Sequence, residues 1–291
     1  MKQFKPLTLL FLMGLCTTIN AQKGPQFKNN QDPKPTEAKW KLVKNMSDEF
    51  DGEILDKTKW LPTAKGWIGR APGLFVDKTI QVTNGSLQIT NSKLPEPVVE
   101  KGKTFTHAGG LVASVEGRTY GYYECEMKAS NTFMSSTFWL INERGNETGC
   151  DKRTTELDIQ ECIGQITCDK VWCQATDKSM GSNLHSRGIQ PGCDIKTASI
   201  GAKGNLEKGK VYDDFHTYGV WWKDKNEVQF FLDGKLVKKV IPPADFNIPM
   251  HLRMVTETYD WNPVPADGGM NGSVAERTTT YNWIRTWELE E

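Results

Sequence analysis

The chain has 291 residues, with 36 Lys and Arg balanced by 36 Asp and Glu. That length holds one large β domain or two small ones, and the balance excludes a general electrostatic attraction to nucleic acid. Ten tryptophans are many for such a chain; a buried indole needs a partner for its N–H, so some of them are expected on a binding surface.

Lys2 and Lys5, the apolar stretch Leu7 to Cys16 and the small Ala21 read as a secretory signal, residues 1–21, cut after Ala21. Met13-Gly14-Leu15 before Cys16 is a poor lipobox, so lipidation is not expected. Removing Lys2 and Lys5 leaves 34 basic residues against 36 acidic ones, a net of −2. No other stretch approaches the ~20 apolar residues that span a membrane. The expectation is an exported protein, periplasmic, surface-held or secreted. Residues 22–37 are polar and carry prolines, and read as a flexible leader. No comparable linker follows, so residues 38–291 are expected to form one domain.

That domain reads as all-β. Thr79 to Val82 and Ser86 to Ile89 flank Asn84-Gly85, a hairpin signal, and Val228 to Leu232 and Lys235 to Val237 flank Asp233-Gly234 in the same way. Tyr120 to Met127, Thr137 to Ile141, Tyr218 to Trp222 and Thr279 to Trp287 alternate as strands. No amphipathic helix of ten or more residues is visible. Many short strands separated by turns point to a sandwich or barrel.

Glu156-Leu157-Asp158-Ile159-Gln160-Glu161 places three carboxylates on one expected strand. Alternation puts Glu156, Asp158 and Gln160 on one face and leaves Glu161 on the other. A β-bulge after Asp158 would turn Glu161 back beside Glu156 and Asp158. Two glutamates in one cleft with an aspartate between them are what retaining glycoside hydrolysis needs. The competing readings are a solvated strand face and a Ca²⁺ site built of carboxylate oxygens. Six cysteines remain after the signal, and five of them (Cys150, Cys162, Cys168, Cys173 and Cys193) surround this motif. Export permits disulfides, whose connectivity is open. Zinc is disfavoured because no C-x-x-C pair exists.

The motif resembles the bulged catalytic signature of glycoside hydrolase family 16. The resemblance extends to Ser47-Asp48-Glu49-Phe50-Asp51-Gly52 with Lys59-Trp60, to Gly121-Tyr122-Tyr123-Glu124, and to Phe138-Trp139. It also takes in His216 to Trp222 with Phe231-Leu232-Asp233-Gly234, and Asn282-Trp283-Ile284-Arg285, and so covers about Trp40 to Leu289. It implies a β-jelly-roll sandwich of two curved antiparallel sheets with an open concave cleft. Internal, retaining cleavage of a β-linked polysaccharide is implied by a double displacement, with Glu156 as nucleophile, Glu161 as acid/base and Asp158 as electrostatic partner. Carboxyl groups of such a pair lie roughly 5–5.5 Å apart. No cofactor is required. A structural Ca²⁺ occurs in many members, but Asn282 stands where an aspartate often does, which puts that ion in doubt. A monomer is the expected state, with the polysaccharide as partner.

The W-P-x-x-G-E pattern of laminarinases is replaced here by Gly149 to Glu156, so the chain resembles instead the branch acting on β-1,4 linkages of red-algal galactans. Gly66-Trp67-Ile68-Gly69-Arg70 and Pro72 to Phe75 resemble a subsite loop of agarases and porphyranases. Glu257 to Trp261 resembles their late cleft loop, and Asn183-Leu184-His185 a strand carrying a cleft histidine. Trp67, Trp139 and Trp261 are the candidate stacking platforms, with Trp40, Trp60, Trp221, Trp222, Trp283 and Trp287 assigned to the core. His185 and Glu257 are further site candidates. Arg70, three residues after Trp67, suits a sulfate ester, and Arg153 and Arg187 are secondary choices. The alternatives are a carrageenan or furcellaran hydrolase, a β-glucanase, or a non-catalytic carbohydrate-binding protein.

Overall fold

The computed structural model describes residues 23–64, 66–143 and 147–290, and the expected signal segment lies outside them. In chain order the strands begin with β1 (Lys39–Leu42), β2 (Trp60–Leu61), β3 (Gly73–Phe75), β4 (Ile80–Thr83), β5 (Ser86–Thr90), β6 (Ser92–Glu100), β7 (Lys103–Arg118), β8 (Gly121–Lys128) and β9 (Ser135–Ile141). They continue with β10 (Thr154–Ile163), β11 (Ser179–Arg187), β12 (Ala198–Asn205), β13 (His216–Asp224), β14 (Glu227–Leu232), β15 (Lys235–Val240), β16 (Met250–Thr256) and β17 (Thr278–Glu290). Among the described residues the only helical pieces are single 3-10 turns.

The strands form two sheets. The first runs β15-β14-β13-β8-β17-β5-β4, with β1 also on β17; the second runs β12-β11-β10-β9-β16-β7-β2, with β3 and β6 also on β7. The β3–β7 pairing is parallel. The hairpin turns sit where the sequence placed them. Asn84 and Gly85 have φ of 53° and 69°, and Asp233 and Gly234 have 49° and 71°, the left-handed pair that a type I′ turn requires.

Alternation decides what each sheet buries. Tyr123, Cys125 and Met127 of β8 meet Leu157, Ile159 and Cys162 of β10 and Leu252 and Met254 of β16 in one core between the sheets. Each such large apolar side chain contributes about 1.5–3 kcal/mol when fully buried. The opposite residues of β10 then have to face out of the second sheet, and that is where the acidic motif points. All six tryptophans assigned to the core are buried.

The outer face of the first sheet carries a second aromatic layer of Trp40, Tyr122, Trp221, Phe231 and Trp287. The segment expected as a flexible leader covers it. Phe27 packs edge-on at 4.8 Å from Tyr122 and 5.1 Å from Phe231. The backbone N–H of Lys28 donates to Gly234 O, and that of Gln26 to the buried carboxyl of Glu124. The stretch has no regular structure, yet its aromatic anchor holds it against the sheet. Burial pushes the Glu124 carboxyl up to about 7.

Candidate active site

The register of β10 against β9 explains how one strand presents all three carboxylates. Leu157 pairs with Leu140 and Asp158 with Trp139, but the next pair is Gln160 with Phe138, so Ile159 is left unopposed. This bulge lies after Asp158, at the position the spacing required. It returns Glu161 to the face of Glu156 and Asp158, which line one hollow of about 500 Å³ with it. Gln160, placed beside them by simple alternation, turns away instead. Its side chain is fully buried, donates to Ser179 O and accepts from Gly181 N.

The three carboxyl groups have different neighbours. Glu156 accepts a hydrogen bond from Arg187 Nη2. Asp158 sits 3.1 Å from His185 Nε2, and the other His185 nitrogen is 2.5 Å from Ser199 Oγ. Glu161 accepts from Tyr259 Oη at 2.6 Å and from Asn183 Nδ2 at 3.2 Å. Burial raises the pKa of Glu156, and the charges of Arg187, Arg253 and Arg70 oppose that rise. Burial raises Glu161 too; the Tyr259 hydrogen bond opposes that rise and the charge of Glu156 adds to it. Asp158 is driven well above its usual range by burial and then by the charges of both glutamates. Three buried carboxylates this close cannot all be ionised. Glu156, with a direct guanidinium bond, is the best placed of the three to carry negative charge, and burial between two glutamates favours the protonated form of Asp158. Burial and the Arg187 charge lower the pKa of His185 against the pull of the Glu161 charge.

The walls come from loops and from β9 and β16. Trp67 and Arg70 ride on a loop whose Gly69 has φ of 113°; a Cβ there would lie 2.3 Å from Gly73 O. Only glycine fits this turn, and the turn aims both side chains into the cleft. Trp67 meets Trp139 edge-on at 6.0 Å. Arg70 donates through Nε to Glu257 at 3.1 Å and lies over the Tyr259 ring. Burial pushes Glu257 up to about 7 against the pull of Arg70. Trp261 stacks on Tyr259 at 5.1 Å. All nine expected site residues therefore gather along one depression on the second sheet.

Four further residues at this site were not singled out from the sequence. Arg253 of β16 lies over Trp67 and Trp139, at 5.8 and 5.3 Å from the ring centres, and its buried Nε has no hydrogen-bond partner. Its cue was alternation with the buried Met250, Leu252 and Met254. Tyr259 and Asn183 stand inside stretches already noted, but nothing local marks them as partners of Glu161. Trp172 meets Trp261 edge-on at 4.9 Å. Arg153 is the reverse case. It lies outside the cleft, buried, bonded to Cys150 O, Asp151 and Asp245 O.

The described residues hold two disulfides, one of them closing the turn that carries Trp172. Cys150 joins Cys193, and Cys168 joins Cys173, while Cys125 and Cys162 are free and buried. Among the described residues the one grouping with metal-ligand proximity is Glu156, Asp158 and His185 themselves. Asn282 donates to Glu126 Oε2 at 2.6 Å.

A family model described as the GH16 domain of β-porphyranases A–D matches residues 40–289. β-Porphyranase B of Zobellia galactanivorans is 60% identical over 282 residues, 97% of this chain and 96% of that protein. β-Porphyranase E of the same organism is 38% identical over 266 residues, 88% of this chain and 90% of its own length. The crystal structure of porphyranase B from Z. galactanivorans superposes with a TM-score of 0.91, covering 92% of this chain and 100% of that one.

Proposed function

The chain belongs to the β-porphyranase A–D group of glycoside hydrolase family 16, and from that premise we propose that it is a retaining endo-hydrolase of β-1,4 linkages in red-algal galactans of the porphyran type. The observation that carries the chemistry is the bulge in β10, which sets Glu156 and Glu161 in one cleft with unlike neighbours. In the first step the Glu156 carboxylate attacks the anomeric carbon while Glu161 gives its proton to the departing oxygen. In the second, Glu161 takes a proton from water, which attacks the same carbon and releases Glu156. Two inversions restore the configuration. Asp158 and His185 act on position: their contact holds Asp158 beside Glu156 and limits where the nucleophile can swing.

A sulfated substrate suits the cations of this cleft. Arg187 is engaged by Glu156 and Arg70 by Glu257. Arg253 makes no ion pair among the described residues and leaves a buried N–H unsatisfied, against two tryptophan rings. A guanidinium held this way fits a sulfate ester on a sugar stacked against Trp67, with Arg70 nearby as the ligand expected from the sequence. Export is part of the same reading, supported by the signal-like start and by two disulfides.

The test is reducing-end release from porphyran, agarose, furcellaran and laminarin. The fastest release is expected from porphyran. Hydrolysis of laminarin alone would contradict the galactan reading, and faster release from agarose would leave the chemistry intact but move the substrate to the unsulfated polymer.

A further inference from the structure

The depression does not stop at Glu161. Beyond it lies a hollow of about 330 Å³ whose lining includes Ile163, Trp172, Asn183 and Trp261, and which shares Arg70, Glu161 and Tyr259 with the catalytic hollow. An aromatic file leads outward from the acid: Tyr259 donates to Glu161, Trp261 stacks on Tyr259, and Trp172 closes on Trp261. Trp172 is 54% exposed and its neighbour Val171 is 92% exposed. Free-standing, a large apolar side chain in that state gains nothing for the fold.

The local architecture nevertheless fixes the ring. Trp172 sits in a single 3-10 turn, Val171–Cys173, inside the short ring closed by Cys168 and Cys173. Gln174 Nε2 donates to Cys168 O across the same turn. Asn262, adjacent to Trp261 and 1% exposed, accepts from the backbone N–H groups of Thr167 and Cys168 and donates to Phe133 O. One buried amide thus ties the two tryptophan loops together. A covalent ring and a buried anchor around an exposed indole are the marks of a contact surface organised before its ligand arrives.

We propose that this hollow is a leaving-group subsite, in which the sugar unit on the departing side of the cleaved bond lies against Trp172, and that the Cys168–Cys173 bridge holds the ring in place for it. The inference rests on the hydrolase reading above. Glu156 marks the sugar that is retained and Glu161 the oxygen that departs, so space beyond Glu161 and away from Glu156 belongs to the departing chain. The face of a pyranose presents C–H groups, for which an indole is the fitting partner.

The experiment compares two substrates that differ only on the departing side: the galactan polymer, and a β-glycosyl fluoride of the same galacto-oligosaccharide, whose leaving group is one atom. Trp172→Ala is expected to lower kcat/KM on polymer by about tenfold, the loss of one stacking contact, and to change it less than about twofold on the fluoride. Trp172→Phe is expected to recover most of the polymer activity. Cys168→Ser with Cys173→Ser is expected to lower polymer kcat/KM several-fold with the fluoride again spared. An unchanged polymer value in Trp172→Ala, or equal losses on both substrates, overturns the subsite; an unchanged polymer value in the double cysteine variant overturns the role of the bridge. Failure of the parent protein on every galactan would instead strike the hydrolase reading.

Discussion

The two ends of the cleft share one floor strand and differ in almost everything else. At the Glu156 end the lining includes Arg187 and Arg253, with Trp67 and Ile141 beside them. At the Glu161 end it includes Tyr259, Trp261, Trp172 and Asn183, while Arg70, paired with Glu257, reaches both ends. Burial raises both glutamates, so burial alone cannot separate their roles. What differs is the neighbour that opposes burial: the charge of Arg187 at Glu156, and the Tyr259 hydrogen bond at Glu161, where the charge of Glu156 adds to the rise.

The largest expected effect comes from removing either end's carboxylate. Glu156→Gln and Glu161→Gln should each lower kcat on galactan by about 10³-fold or more. Their unfolding midpoints should stay near that of the parent, since neutralising one of three crowded acids relieves repulsion. Retained activity in either variant would end the assignment of that residue.

Arg253→Ala should come next and act on one end only. Loss of a charged hydrogen bond worth about 1.5–3 kcal/mol corresponds to roughly 10- to 100-fold in kcat/KM on porphyran. Agarose, without the ester, should be affected several-fold less. Equal losses on the two polymers would assign Arg253 to packing of Trp67 and Trp139 alone.

Arg187→Met should give the smallest change in maximal rate but a shift in pH dependence. The parent rate should fall at low pH as Glu156 takes a proton and at high pH as Glu161 loses one. Arg187 lowers the pKa of Glu156. Its removal lets that pKa rise, so the acid limb of kcat/KM should move to higher pH while the basic limb stays. An acid limb that stays in place would separate Arg187 from the charge state of Glu156.

Much of this was legible in the residues, and the gaps have physical reasons. The bulge could be read because three carboxylates at that spacing share a face only if one residue is inserted, and Ile159 is that residue. The hairpins could be read because two consecutive left-handed residues need Asn-Gly or Asp-Gly. β7 was missed, although it spans Lys103–Arg118, because its middle is Gly109-Gly110. Those glycines answer to neighbours remote in sequence: a Cβ on Gly109 would lie 2.2 Å from Thr256 O. Arg153 and Arg187 look alike on paper, and only the chain path sends one to the cleft and the other to Asp245. Trp172 left a faint trace, a tryptophan between two cysteines, whose meaning depended on Trp261 lying across from it.

The division of labour between the two glutamates can be tested through azide. In Glu156→Ala, azide should restore cleavage of an activated β-galactoside by attacking the anomeric carbon directly, giving the α-glycosyl azide. In Glu161→Ala, azide should attack the glycosyl-enzyme held by Glu156 and give the β-glycosyl azide. Those two opposite anomers are the predicted result; rescue of neither variant, or the same anomer from both, would contradict it.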